Sequence, residues 1–297
     1  MLKSKWVRAR PDVLKRLTGL TLGQFTRLAL EFERLRFEGH GIARSVPRVR
    51  AIGGGRRGVL ATCHDQALFI LVYFRHYPTQ EFAGILFGLS QPQVCDRVAH
   101  LSKYLFAALG HEMALPKRPP DRGDFLISHV PGLRYIIDGC ERPRTRPVHE
   151  PTQTDYYSGK KKQHCVKNNI IINESTKQII ALGRTHPGRD HDKSMADTDA
   201  YRFPEGSCLT QDTGFQGLHP PGAYVRQPVK KPKGKELDSW TKFSNRTISM
   251  ERVSVEHAIR GVKICRIAKD IYRNRRKGFD DYVMEIASGI YNFKMTA

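Results

Sequence analysis

The chain has 297 residues, with 50 Lys+Arg against 29 Asp+Glu and a formal net charge of +21 at pH 7, for an isoelectric point near 9.9. An excess of that size points to a polyanionic partner, with nucleic acid ahead of an anionic membrane surface. The longest apolar run, residues 67–74, falls far short of the ~20 residues that span a bilayer. No apolar signal region follows the basic start of the chain, so an intracellular protein without a membrane partner is expected. Hydrophobic residues make up 39% of the chain, enough for packed cores, and the length suits two ordinary domains. The six cysteines (Cys63, Cys95, Cys140, Cys165, Cys208 and Cys265) form no C-x-x-C pair. That spacing argues against a disulfide framework or a zinc site.

Taken in chain order, residues 12–38 carry helical periodicity, with Thr21 placed to cap a helix that buries Leu22, Phe25, Leu28 and Phe32. Residues 39–58 read as a basic loop. It ends in a glycine-arginine run, but no Gly-Lys-Ser/Thr follows, so it is no Walker phosphate loop. Three helices are expected over 62–109. The first runs from Cys63 to about His76. The second starts after Pro78-Thr79, and the third runs from Gln91 to about Leu109, capped by Ser90 after a Gly88-Leu89 turn. Helix, short glycine turn and polar-started helix make a helix-turn-helix over 79–109. Prolines and charges from His111 onward mark a domain boundary. The expected organisation is an N-terminal helical domain over 1–115, a linker over 116–131 and a second domain over 132–297. In the second domain, strands are expected over 133–137, 164–172 and 178–182, with a helix over 189–201. Short strands should follow, one ending at Asp212 and another beginning at Tyr224. Helices are expected over 242–270 and 280–293. The fold class is therefore α/β with a mixed sheet, preceded by an all-α domain.

Three carboxylates stand out. Asp138 follows the apolar run Tyr135-Ile136-Ile137, and Asp212 follows Cys208-Leu209-Thr210-Gln211. A charge placed directly after a buried run needs a reason, because burying a lone carboxylate is costly. Carboxyl ends of strands are where α/β sheets place functional groups. Either aspartate could also be a turn residue or a cap. The third, Glu256, shares one helical stripe with Arg252 and Lys263 at about 100° per residue. Such a stripe suits a solvated face with ion pairs, or a metal-binding glutamate flanked by groups that hold phosphates. Together the three acids offer hard oxygen donors for Mg²⁺ or Mn²⁺, and two such ions serve phosphodiester cleavage. Asp155, Asp190, Asp192, Asp197 and Asp199 compete for these roles. They rank lower because no buried strand precedes them, although the run from Gly188 to Lys193 could itself be a metal or structural loop.

These residues resemble the DDE transposases of bacterial insertion sequences, of the insertion-sequence family five type and its Harbinger-like relatives. Asp138-Gly139-Cys140-Glu141-Arg142-Pro143 resembles that family's first-aspartate motif. The stretch Tyr156-Tyr157-Ser158-Gly159-Lys160-Lys161-Lys162-Gln163-His164 resembles its basic loop. Pro187–Lys193 resembles its His-Asp segment, Gln211–Gly217 its second-aspartate motif, and Val253–Ile259 its third-acid motif. The family's further pattern on that last helix is met at Arg252, Glu256 and Lys263. It departs at Ser249, where the family has tyrosine. The resemblance covers residues 60–295 and implies an RNase H-like core behind a helix-turn-helix. Asp138, Asp212 and Glu256 would be the catalytic residues and would bind two Mg²⁺ (or Mn²⁺). Arg252 and Lys263 would steady the acid or hold DNA phosphates. It also implies binding of terminal inverted repeats, cleavage at element ends and strand transfer into target DNA. The expected partner is double-stranded DNA, engaged by a homodimer or higher oligomer, with the chain expected in the bacterial cytoplasm at the nucleoid.

Lys160, Lys161 and Lys162 beside two tyrosines suit phosphate contact and base stacking, although a solvated turn would look the same. Gln91, Gln93 and Arg97, early in the third helix, would face a major groove unless those helices serve only structure or dimer contact. Arg142, Arg144 and Arg146 should lie near the catalytic edge. Lys230–Lys235 and the cluster Arg273, Arg275, Arg276 and Lys277 could hold flanking duplex. Two other functions fit the composition. One is a non-catalytic DNA-binding protein derived from a transposase, acting as repressor or scaffold; intact carboxylates speak against it. The other is a nuclease without strand transfer.

Overall fold

The computed structural model describes residues 1–38, 58–276 and 278–296. The glycine-arginine stretch over 39–57 and Lys277 lie outside the described residues. The chain divides into two units: residues 1–115 with 265–267 and 293–297, and residues 116–264 with 268–292.

The first unit is helical: α1 (Ser4–Arg8), α2 (Pro11–Thr18), α3 (Leu22–Glu38), α4 (Cys63–His76), α5 (Gln80–Phe87) and α6 (Gln91–His111). Side chains set several of these starts. Thr21 and Gln24 exchange side-chain and backbone hydrogen bonds ahead of α3. Thr62 accepts from the Asp65 N–H at 3.0 Å, and Thr79 accepts from the Phe82 N–H at 3.2 Å. Ser90 N–H donates to the Gln93 side chain at 3.0 Å. These bonds satisfy amides that a helix leaves orphaned in its first turn. Helix α5 ends at Gly88 in the left-handed region, φ 70°, which a residue without Cβ adopts at no steric cost. The turn then folds back tightly, and Leu89 N–H bonds to the Gly84 carbonyl at 2.9 Å. Ala83, Phe87, Val94, Val98 and Leu101 are buried, and Phe87 packs edge-on to Phe69 of α4 at 5.1 Å.

The second unit is built on a mixed sheet. Its strands are β2 (Arg134–Pro143), β3 (Tyr157–Ser158), β4 (Gln163–Asn173), β5 (Ile179–Leu182), β6 (His186–Pro187), β8 (Ser207–Thr210) and β9 (Ala223–Arg226). A separate parallel pair joins β1 (Phe125–Leu126) to β7 (Tyr201–Arg202). The main order is β3-β4-β2-β8-β9, with β5 and β6 also on β4. Strand β4 is antiparallel to β2 and β5, whereas β2, β8 and β9 run parallel. Helices α7 (Glu150–Tyr156), α8 (Asp192–Asp199), α9 (Ser239–Val262) and α10 (Phe279–Met295) up to residue 292 complete the unit. This arrangement is that of an RNase H-like mixed-sheet core. Ile170, Ile171 and Ile172 of β4 are all fully buried. A continuous apolar run is what a central strand covered on both faces requires. Ile137, Ile171, Ala196, Leu209 and Phe215 share one cluster that ties the sheet to α8.

Several expectations shift. β2 runs on through Pro143, so Asp138 lies inside a strand and pairs in register with Ile170. The predicted helix over 242–270 starts earlier and stops at Val262, and the one over 189–201 shrinks to α8. Residues 116–131 are not bare spacer. Lys117 bridges to Ala181, and Phe125, Ile127 and Val130 are buried in the sheet cluster.

A Cβ added at Gly84 would lie 2.4 Å from the Leu89 carbonyl oxygen. Because that atom is backbone, relief requires the turn to open. Gly84→Ala is expected to destabilise the helical unit by about 2 kcal/mol, read as a lowered thermal midpoint.

Candidate active site

Register brings the two aspartates together. The parallel pairing of β2 with β8 ends at Ile136 opposite Thr210. Asp138 and Asp212 each stand two residues beyond that pair. Side chains alternate along a strand, so two residues further on they return to the same face. The two carboxylates thus leave neighbouring parallel strands at one level and on one side, at the carboxyl end of β8. Asp212 caps the following turn, its Oδ1 accepting from Thr213 N–H at 2.7 Å. Asp138 Oδ1 accepts from Gly139 N–H at 2.9 Å.

Helix α9 crosses this point. Asp238 fixes its start by accepting from Thr241 N–H at 2.9 Å, and Ile248, Val255, Ala258 and Val262 form its buried stripe. Arg252, with a side chain only 12% exposed, lies 3.7 Å from Asp138 Oδ1 and 3.2 Å from Asp212 Oδ1. One guanidinium therefore serves both carboxylates. Glu251, the preceding residue, anchors the helix to β9 through two bonds from Arg226 at 2.9 and 3.0 Å. Ser254, on the helix's next turn, accepts from Lys177 Nζ at 2.9 Å.

Burial pushes the Asp138 carboxyl up to about 6. Arg252 and the Gly139 N–H oppose that rise, while Asp212 and Asp192 add to it. A desolvated carboxylate not fully countered by its guanidinium is a hard oxygen donor short of positive charge. With Asp212 beside it, the donor chemistry fits a hard divalent cation.

Glu256 is not drawn into this pair. It stands one turn beyond Arg252 on α9 and is solvent-exposed. Among the described residues, no three His, Cys, Asp or Glu side chains are grouped so as to hold a metal ion. Lys263 caps the far end of α9 and is close enough to Cys140 to bear on its thiol. Ser249, at the family's tyrosine position, donates its hydroxyl hydrogen to the Asn245 carbonyl one turn back at 2.8 Å. Asp192, ranked low from sequence, lies against the glycines that follow both aspartates. Its signal in the sequence was the pair Gly139 and Gly214, one and two residues after Asp138 and Asp212.

The basic groups divide. Lys160, Lys161 and Lys162 are exposed on the β3–β4 turn, with Tyr157 stacked edge-on to His164 at 5.6 Å. Arg144 lies over the Tyr156 ring at 4.0 Å. Arg142, expected near the catalytic edge, is 1% exposed. Its guanidinium donates to Asn168 Oδ1 of β4 at 2.7 Å and to the Asp280 carbonyl of α10 at 3.1 Å. In the helical unit Gln91, Gln93 and Arg97 are exposed, although Gln91 bonds to Gln80 and Gln93 closes the α6 cap. Trp240 and Phe243, which belong to no motif, are 76% and 63% exposed. Their rings stack at 6.0 Å in the first turns of α9, which follows the Lys230–Lys235 loop in the chain.

Helical unit, mixed sheet and paired aspartates define a class. The chain belongs to the DDE superfamily endonucleases, whose pattern matches residues 137–292, and the helix-turn-helix of the same superfamily matches residues 59–110. Among curated proteins it is similar to "Probable transposase for insertion sequence element IS702" from Microchaete diplosiphon, with 32% identity over 241 residues, 81% of this chain and 83% of that protein. No solved structure matches it. Among the described residues, no helix is long and apolar enough to cross a membrane.

The raised Asp138 carboxyl sets a pH dependence. Between the ordinary aspartate range near 4 and about 6, the folded chain holds a proton that the unfolded chain has released. Raising pH through that window therefore costs stability. Asp138→Asn avoids the cost. It should stabilise the metal-free protein at pH 7 by on the order of 2 kcal/mol, with the gain gone at pH 4. Urea midpoints at the two pH values in EDTA measure it, and equal midpoints for both proteins at pH 7 would contradict the desolvated carboxylate.

Proposed function

We propose that the chain is an insertion-sequence transposase that binds the terminal inverted repeats of its element, cuts the element ends and transfers the freed 3′ strand into target DNA. The observation that carries this reading is the level placement of Asp138 and Asp212 on parallel strands, with one α9 guanidinium reaching both. In it, residues 1–115 are the DNA-binding domain and the mixed-sheet domain is catalytic. Gln91, Gln93 and Arg97 at the start of α6 contact base edges. Lys160, Lys161 and Lys162 hold backbone phosphates, and Trp240 and Phe243 offer a stacking surface among lysines. A homodimer or higher oligomer engages the two ends.

Asp138, Asp212 and Glu256 would hold two Mg²⁺ or Mn²⁺ ions, Glu256 being supplied by the same helix that presents Arg252. When bound, such ions lower the pKa of a water and stabilise the leaving 3′ oxygen. Arg252 aligns the two aspartates and opposes the rise of the Asp138 carboxyl, and Lys263 steadies the far end of the helix or a DNA phosphate. The intact carboxylates favour this reading over a non-catalytic binder, which has no use for them.

Asp138→Ala should abolish nicking of repeat-ended duplex with Mg²⁺ while retaining binding in a mobility-shift assay. Cutting at the wild-type rate by that variant would remove the assignment. Replacing Lys160, Lys161 and Lys162 together with Ala should flatten the dependence of log binding constant on log salt by about 2 to 3. An unchanged slope would place the β3–β4 turn off the DNA.

A further inference from the structure

Asp192 has no place in that assignment, yet it meets both aspartate-bearing segments. It lies in the first turn of α8. A Cβ built on Gly139 would stand 3.0 Å from Asp192 Oδ1, and one built on Gly214 would stand 3.0 Å from Asp192 Oδ2. Each carboxylate oxygen thus fills the space that a side chain would occupy beside one of the two aspartates. Gly139 and Gly214 have ordinary φ values, and neither is among the glycines with positive φ. Conformational freedom does not explain glycine at these positions; room does.

The face is informative too. Gly139 follows Asp138 in β2, so its Cβ direction points to the opposite side of the sheet. Asp192 therefore supports the strand from behind, while Arg252 holds the aspartates from the front. Its own position is fixed. Lys167 of β4 lies 3.7 Å from Asp192 Oδ1 and 3.4 Å from Glu141 Oε1, and it donates to the Asp190 carbonyl at 2.9 Å. A first-turn acid also complements a helix N-terminus, but that role asks nothing of glycines on two other segments.

We propose that Asp192 is a positioning residue. Its carboxylate wedges between Gly139 and Gly214 and sets the approach of the Asp138 and Asp212 segments to each other. The consequence for catalysis rests on the transposase reading; the wedge itself does not.

Two measurements on the full chain test it. Hydrogen exchange followed by mass spectrometry, in EDTA, should show faster exchange in peptides covering 137–141 and 211–217 of Asp192→Ala, with a smaller change in Asp192→Asn, which keeps the shape. Asp197→Asn, an exposed acid one turn on that pairs with Lys193, should exchange as wild type. In the nicking assay with Mg²⁺, Asp192→Ala should lose about a hundredfold in kcat with KM for DNA unchanged. Gly139→Ala should raise exchange in the same peptides by itself, but add little once Asp192 is Ala, because the added methyl then has space.

Unchanged exchange in both peptides overturns the wedge, whatever the DNA assay gives. Additive effects of Gly139→Ala and Asp192→Ala overturn it as well. Faster exchange with wild-type kcat removes the catalytic consequence. If the wild-type chain cuts no DNA while the exchange pattern and the Gly139 coupling hold, the transposase reading fails and the wedge stands.

Discussion

Two carboxylates at the same level on neighbouring strands repel, and Asp212 adds to the burial that makes Asp138 harder to ionise. The guanidinium of Arg252 answers that problem here. It reaches both acids from a helix that is itself fastened to the sheet at Glu251 and Ser254. Much else in the second unit serves this contact. The buried stripe of α9 holds the helix down on the sheet, Gln211 ties the loop after β8 to the Phe215 carbonyl and the Gln227 side chain, and Asp212 caps the turn that it begins. Burial still lifts the Asp138 carboxyl, so the arginine offsets only part of the desolvation cost. A group left in that condition retains an appetite for further positive charge.

Sequence and structure agree where a single physical signal governs. The helices of the first unit start where hydroxyl side chains can accept amide hydrogens, at Thr62 and Thr79, and α5 stops at a glycine that takes φ 70°. Strand β4 was visible as an isoleucine run. The sequence misleads where two signals compete. Gly139 reads as the turn that ends a strand, but β2 continues through it because β4 supplies partners on that side up to Pro143. The glycine is there for space, a property that appears only once α8 is packed. Arg142 reads as a surface cation near a catalytic edge. In the fold it faces Asn168 and Thr185, two polar partners far along the chain that no local pattern reveals.

The acids show the same limit. Asp138 and Asp212 were legible because an apolar run precedes each. Glu256 shares a stripe with Arg252 and Lys263 that suits an ion-paired face as well as a metal ligand, and in the fold it is exposed and apart from the pair. Asp192 was discounted for lying in a polar stretch, and local polarity says nothing about what a side chain meets across the sheet. Trp240 and Phe243 carry no comparable local signal: Trp240 precedes the helix expected from residue 242, and only the fold shows both rings exposed on α9.

The register of β2 on β8 bears on how such chains can diverge. The alignment of the two aspartates depends on three consecutive residue pairs. A one-residue slip would send one carboxylate to the opposite face. The loops that join elements between the aspartates can lengthen or shorten without disturbing that level, whereas β4, paired along β2, and α8, with Asp192 against both segments, are held by it. The four residues of β8 have no such freedom. Divergent chains of this architecture should therefore differ widely in the interval between their two aspartates, while keeping the short approach to each constant in length and alternation.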